Sequence, residues 1–165
     1  MTETRPVRVF VLGSFRDARA SRTRSRGVLR RLVEALRAAG CDAFLSGDAR
    51  SLELAGHAFA PRPMTDVLEG LCDLALFVGV KAGRGEGWVS EITAMQVLVP
   101  ERSTRRVVLL ETGYPLTSIL DPLQQGYLAD PPVMIGTWSR EAELHDLAIK
   151  CATSVARFGR LPPIL

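Results

Sequence analysis

Residues 72–79 read Cys-Asp-Leu-Ala-Leu-Phe-Val-Gly, and residues 83–92 read Gly-Arg-Gly-Glu-Gly-Trp-Val-Ser-Glu-Ile. The first stretch is a continuous apolar run after one acid, which is typical of a strand buried on both faces of a parallel sheet. The second is a glycine-rich turn that leads into a helix, with Glu91 in the first helical turn. Backbone amides at a helix start bind anions and sugar hydroxyls, so a carboxylate placed beside them is a candidate functional group. These two stretches predict an α/β fold and the place of a site.

The rest of the chain alternates apolar runs with helical patterns. The apolar runs predict five strands, at Val7–Leu12, Cys41–Leu45, Leu74–Val80, Val107–Leu110 and Val133–Ile135. Apolar residues at helical spacing predict helices from Val28 to Gly40 and at Met64–Leu71, Val89–Leu98 and Glu141–Phe158. The remaining stretches predict loops at 16–26 and 47–63, and the segment 115–127 is compatible with a short helix.

This alternation predicts a single domain over residues 1–165 with a doubly wound, flavodoxin-like α/β fold. We expect a mainly parallel five-stranded sheet in the order 2-1-3-4-5, in which the winding reverses between strands 1 and 3. Ligands bind such sheets beyond the carboxyl ends of the strands at the reversal. The turn at residues 13–16 and the turn before Glu91 should therefore share one cleft.

Composition narrows the class of protein. No apolar run reaches the roughly 20 residues of a membrane span, and no hydrophobic leader opens the chain, so we expect a cytoplasmic protein without a membrane partner. Three separated cysteines predict buried free thiols, and neither histidine has neighbours at ligand spacing, so we expect no metal and no cofactor. The arginine-rich stretch 16–37 contains no aromatic side chain for base stacking, which favours an anionic small molecule over nucleic acid.

The candidate site residues follow from these two turns. Gly85 and Gly87, with Gly83, allow close approach of the backbone to a ligand, but their spacing matches neither the dinucleotide fingerprint nor a P-loop. Arg16, nearest the end of strand 1, is the first candidate phosphate clamp, and the loop arginines Arg22, Arg24 and Arg26 are further candidates for the same role.

Four side chains near the third strand have two readings each. Glu91 is either catalytic or a helix-dipole acid, and Ser90 either caps the helix or contacts ligand. Trp88 either packs over the turn or forms a wall for a base. Asp73 is retained as a candidate ligand contact, although a parallel sheet puts it at the far end of strand 3, where it would cap the preceding helix.

Short motifs resemble the nucleoside deoxyribosyltransferase superfamily, and within it the nucleoside-monophosphate N-glycosidases such as hydroxymethyl-CMP hydrolases. The matching segments are 9–16, the Cys72-Asp73 start of strand 3, residues 87–93 and 107–111. The resemblance implies that Glu91 is the catalytic glutamate of N-glycosidic bond cleavage, with either water or another base as the acceptor of the sugar. It also implies that Gly13, Ser14, Phe15 and Arg16 hold phosphate or ribose. It further implies a homodimer or higher homo-oligomer, because family members often complete their sites across an interface.

Other readings remain open. Residues 88–91 resemble the Trp-Cys-x-x-Glu of TIR domains, which implies NAD cleavage or signalling through homotypic contacts. Gly85-x-Gly87-x-x-x-Glu91 resembles the LOG-type phosphoribohydrolases. All three groups use one glutamate to cleave a bond between ribose and a base. Trp88 and Thr93 replace the threonine and glycine of the deoxyribosyltransferase pattern, which motivates a further alternative, a nucleotide sensor without catalysis.

Overall fold

A computed structural model describes residues 5–13, 24–46, 48–55, 70–83, 88, 92–93, 95–96, 99–114 and 133–165. The strands are β1 Arg8–Gly13, β2 Asp42–Leu45, β3 Leu74–Gly79, β4 Arg106–Glu111 and β5 Met134–Trp138. The helices are α1 Arg24–Ala38, α2 Ala49–Ala55 and α3 Glu141–Phe158, and a 3₁₀ helix spans Pro100–Arg105. Residues 88, 92–93 and 95–96 are also helical, as are 70 and 71.

The five strands form one parallel sheet in the order β2-β1-β3-β4-β5. This confirms the predicted doubly wound, flavodoxin-like α/β fold. The winding reverses between β1 and β3, whose register pairs Gly13 with Val78. Both strands therefore end at the same edge of the sheet, which we call the carboxyl edge.

The core has a layer on each face of the sheet. Val9, Val11 and Leu76 point to the layer shared with α1 and α3, whereas Phe10 and Phe77 point to the layer that includes Trp88. Every residue of β3 is buried, because both faces of a central parallel strand are covered. The continuous apolar run at 74–79 therefore forms the central strand of the sheet.

Helix α1 confirms the predicted apolar face but begins earlier than predicted. The predicted positions are all buried, namely Val28, Leu29, Leu32, Val33 and Leu36. Gly40 ends the helical segment with φ +87°, a conformation that favours glycine. The loop predicted for 16–26 is wrong at its end, because the first turn of α1 includes 24–26 and buries Ser25.

Helix α2 corrects the prediction of an irregular segment at 47–63. Asp48 accepts a hydrogen bond from the Ser51 amide at 2.8 Å, as an N-cap residue does, and also accepts one from the Leu45 amide at 2.9 Å. The cap ties the start of the helix to the end of β2. The part of the predicted loop beyond Ala55 lies outside the described residues.

The remaining differences concern element ends. Strand β5 continues to Trp138, three residues past the predicted Ile135, because it follows the register of β4. Most of the helix predicted at Met64–Leu71, parts of that at 89–98, and all of 115–127 lie outside the described residues. Cys72 and Cys151 are buried free thiols, as predicted, whereas Cys41 is half-buried. No helix in the described ranges has the length and apolar character to span a membrane.

Candidate functional site

Two glycines end the strands at the winding reversal. A Cβ on Gly13 would lie 2.7 Å from the carbonyl oxygen of Val78 and 3.0 Å from the Leu29 side chain. A Cβ on Gly79 would lie 2.6 Å from Leu110 and 3.2 Å from the Tyr114 ring. At Gly13 the nearest atom is a backbone oxygen, so a larger residue would push β1 and β3 apart, whereas at Gly79 the Leu110 side chain would have to shift. The predicted site residue Gly13 is thus at the carboxyl edge, as expected from the topology.

Most of the predicted site residues lie outside the described part of the chain. These are Ser14, Phe15, Arg16, Gly85, Gly87, Ser90 and Glu91. Their sequence positions directly follow Gly13 or lie between Gly83 and Ile92, and both Gly13 and β3 end at the carboxyl edge. Their roles remain predictions.

Trp88 is a core residue. Its side chain is 3% exposed and packs in the layer that contains Phe77 and Leu110. The indole centroid lies 5.9 Å from the Tyr114 ring at an interplanar angle of 49°. This placement favours packing of Trp88 in the core over the reading in which its ring forms an open wall for a base.

The polar ends of this aromatic pair lie close together. The buried Trp88 Nε1 has no hydrogen-bond partner among the described residues. Burial raises the pKa of the Tyr114 phenol, and the neighbouring Trp88 indole offsets part of that rise.

Asp73 lies at the opposite edge of the sheet from Gly13. Its carboxylate accepts hydrogen bonds from the Arg8 amide at 2.9 Å and from the Arg5 guanidinium at 2.8 Å. These bonds tie the amino end of β1 to the start of β3. Among the described contacts Asp73 joins strands at the edge remote from the candidate cleft, and the structure does not bring it together with the other candidate residues.

Glu111 is a carboxylate at the carboxyl edge that the sequence prediction did not select. It ends β4, and its side chain is 12% exposed. Glu111 Oε2 accepts a hydrogen bond from the backbone amide of Lys81 at 2.6 Å. Arg24 donates to both carboxylate oxygens, at 2.5 and 3.1 Å. The sequence signal for this residue was an acid directly after an apolar strand, next to the predicted cleft.

These contacts decide the charge of Glu111. Burial raises the pKa of this carboxyl group, but the hydrogen bonds from Arg24 and Lys81 outweigh burial, so the net pKa lies below its ordinary value. The group is therefore a carboxylate at neutral pH. Arg24, one of the predicted phosphate-clamp arginines, donates from both Nη1 and Nη2 to the Glu111 carboxylate. Arg26, another of those arginines, is exposed.

Comparison with protein-family models finds no match, and comparison with curated proteins finds none either. The function of the protein is therefore inferred from the residues at the carboxyl edge. In the described ranges no three His, Cys, Asp or Glu side chains group closely enough to hold a metal ion.

The described edge combines three features that a small-molecule site needs. It has two strand ends at Gly13 and Gly79 where neighbouring atoms pack closely against the backbone. It has a charged pair, Arg24 and Glu111, that joins α1 to β4. It also has the aromatic pair of Trp88 and Tyr114 below it. Open α/β sheets bind ligands at this position.

Proposed function

We propose that the protein hydrolyses the N-glycosidic bond of a nucleotide such as a nucleoside monophosphate, with Glu91 as the catalytic carboxylate. The single observation that carries the proposal is the reversal of winding between β1 and β3. Because of this reversal, β1 and β3 end at the same edge of the sheet. The residues after Gly13 and the glycine-rich stretch before Glu91 therefore begin at that edge. The motif resemblance of these turns to nucleotide N-glycosidases supplies the reaction type.

The chemistry needs one carboxylate and an anion site. As nucleophile, Glu91 would bond to the anomeric carbon while the carbon–nitrogen bond breaks and the base leaves with the electron pair, taking up a proton. Water would then attack the anomeric carbon, lose its proton, and release the Glu91 carboxylate and a phosphorylated sugar. As an electrostatic stabiliser, Glu91 would instead face the positive charge that develops on the sugar.

The residues after β1 would hold the rest of the substrate. Ser14 and Arg16 are the candidate donors to phosphate or ribose, since an arginine fork matches phosphate oxygens. The Arg24 fork is directed at Glu111, so we assign the phosphate to Arg16. The proposal further takes the protein to be cytoplasmic and homodimeric, as the composition and the resemblance imply.

A substrate panel tests this proposal. The protein is incubated with ribonucleoside and deoxyribonucleoside monophosphates and with NAD, and free base is measured by chromatography. We expect release of base from at least one monophosphate by the dilute protein. Cleavage of NAD alone would instead support the TIR-like reading, and tight nucleotide binding without turnover would support the sensor reading.

A further inference from the structure

The last turns of α3 border two connected cavities at the amino edge of the sheet. One cavity, of about 450 Å³, is lined by residues that precede β1 and β2, among them Val7 and Cys41. The other, of about 430 Å³, is lined by α3 and by residues 160–163. Thr153 and Arg157 line both cavities, so the two form one groove, which we call the amino-edge groove. It lies at the opposite edge of the sheet from the candidate cleft.

Hydrogen bonds to α3 fix one wall of the amino-edge groove. Gly159 ends the helix with φ +68°, a conformation that favours glycine. The Ser154 hydroxyl then donates to the carbonyl of Arg160 at 2.9 Å, and Lys150 Nζ donates to the carbonyl of Ile164 at 3.0 Å. The segment 159–164 is therefore held against the helix. A ligand meets a wall that is already formed, which lowers the entropy cost of binding.

This wall exposes large apolar side chains to water. Phe158, which lines the groove, is 70% exposed, and Ile164 is 77% exposed. These two have the highest exposed fractions of any large apolar side chain in the described part of the chain. Leu161 and Pro162 line the groove beside them and are buried. An exposed aromatic side chain next to a concave apolar lining is typical of a protein-binding surface.

The charged side chains that line the groove are all cations, namely Arg5, Lys150, Arg157 and Arg160. Arg5 is paired with Asp73 at 2.8 Å. The other three are exposed, and the ion pairs among the described residues include none of them. Complementarity of charge therefore selects an anionic occupant. It disfavours a two-fold contact with the same groove of a second copy, because like charges would meet there.

We propose that the amino-edge groove binds an acidic peptide segment of a partner protein. Carboxylates of the peptide pair with Arg157 and Arg160, and a large apolar side chain of the peptide packs against Phe158. Arginine and aromatic side chains are enriched at protein interfaces, and a concave pocket accepts an anchoring side chain, which a lipid surface does not offer. The inference goes beyond the proposed function, because the groove and the candidate cleft lie at opposite edges of the sheet.

The test uses peptides selected from a random library displayed on phage, with the full chain as the immobilised target. Selected peptides are synthesised with a fluorophore, and anisotropy gives their Kd for the wild type, Arg157→Glu and Phe158→Ala. Arg30→Glu is the matched control, because Arg30 is an exposed arginine of α1 that lines neither cavity and has no ion pair among the described residues. Circular dichroism checks the fold of each variant, and hydrogen–deuterium exchange of residues 150–163 locates the bound peptide.

We expect selection to enrich peptides that combine Asp or Glu with a large apolar residue and that slow exchange of residues 150–163. Arg157→Glu and Phe158→Ala should each weaken binding about 10-fold or more, whereas Arg30→Glu should change Kd less than about 2-fold. Added salt should also weaken binding.

Three results would overturn the proposal: no enriched peptide, enriched peptides without acidic residues, or equal affinity of the peptides for the wild type and Arg157→Glu. Vesicles of phosphatidylcholine with phosphatidylserine are the alternative probe. Sedimentation of the protein with these vesicles in the absence of any enriched peptide would overturn the peptide site in favour of a lipid surface.

Discussion

At the scale of single residues, glycine at the strand ends shapes the carboxyl edge. Gly13 faces the Val78 carbonyl oxygen, a backbone atom that cannot rotate away from an added methyl group. Gly27, in the first half of α1, faces only the end of the flexible Arg31 side chain, at 3.1 Å from its Nη1. The two glycines should therefore respond to the same substitution in opposite directions.

We expect Gly13→Ala to lower the free energy of unfolding by about 1–3 kcal/mol, because β1 and β3 must move apart to admit the methyl group. Gly27→Ala should leave stability unchanged or raise it by up to about 1 kcal/mol, because alanine is the better residue inside a helix. Urea unfolding of both variants checks this. Equal effects of the two substitutions would contradict the close approach at Gly13.

Residue patterns in the sequence predicted the position of Gly13 but could not predict the role of Glu111. A strand-ending glycine is visible in the sequence, and the topology places it. The partners of Glu111, Lys81 and Arg24, lie 30 and 87 residues away in the sequence. No local sequence pattern indicates contacts over such separations. For Trp88, the sequence left packing and ligand contact open, and only its burial favours packing.

At the scale of elements, the Asp48 cap explains why helix α2 forms in a stretch predicted to be a loop. Helix α2 is only seven residues long, and its apolar pattern is weak, so the stretch predicted a loop. The Asp48 cap and its bond to the Leu45 amide start the helix against β2. Longer elements with a clear apolar period, such as α1 and β3, were predicted correctly apart from their ends.

We expect Asp48→Ala to destabilise the protein by about 1 kcal/mol, because two backbone amides lose their acceptor. Asp48→Asn keeps an acceptor oxygen and should cost much less. Thermal unfolding followed by circular dichroism compares the two variants. Equal stability of Asp48→Ala and the wild type would show that the cap contributes nothing to α2.

At the scale of the whole molecule, ion pairs between elements make stability depend on pH. The hydrogen bond from Arg50 outweighs burial and lowers the pKa of Asp42, and the Arg31 fork does the same for Glu141. Each carboxyl group therefore has a lower pKa in the folded chain than in the unfolded chain. Its contribution is present above the unfolded pKa, near 4, and is lost as pH falls through the folded pKa.

We expect the free energy of unfolding to be constant from about pH 7 to pH 5 with respect to these groups, and then to fall as the pH decreases below about 4. Glu111, whose net pKa is also lowered, adds to the same decline. Urea titrations at a series of pH values measure it. Stability that rises on acidification through this range would contradict the ion pairs described for these carboxylates.

The topology of the whole sheet was predictable from the alternation of strands and helices, and it places the cleft. The identity of the catalytic group depends on Glu91, which the sequence selects and which lies outside the described residues. The proposed function depends on this one carboxylate, which would cleave the ribose–base bond at the carboxyl edge.

The most direct test is base release by Glu91→Gln, measured by chromatography on the best monophosphate substrate. Glu101→Gln is the matched control, because Glu101 is exposed and lies before β4, at the opposite edge of the sheet. We predict that Glu91→Gln lowers kcat by at least about 10³-fold with an unchanged circular dichroism spectrum, while Glu101→Gln retains wild-type activity. Wild-type base release by a folded Glu91→Gln protein would contradict the account.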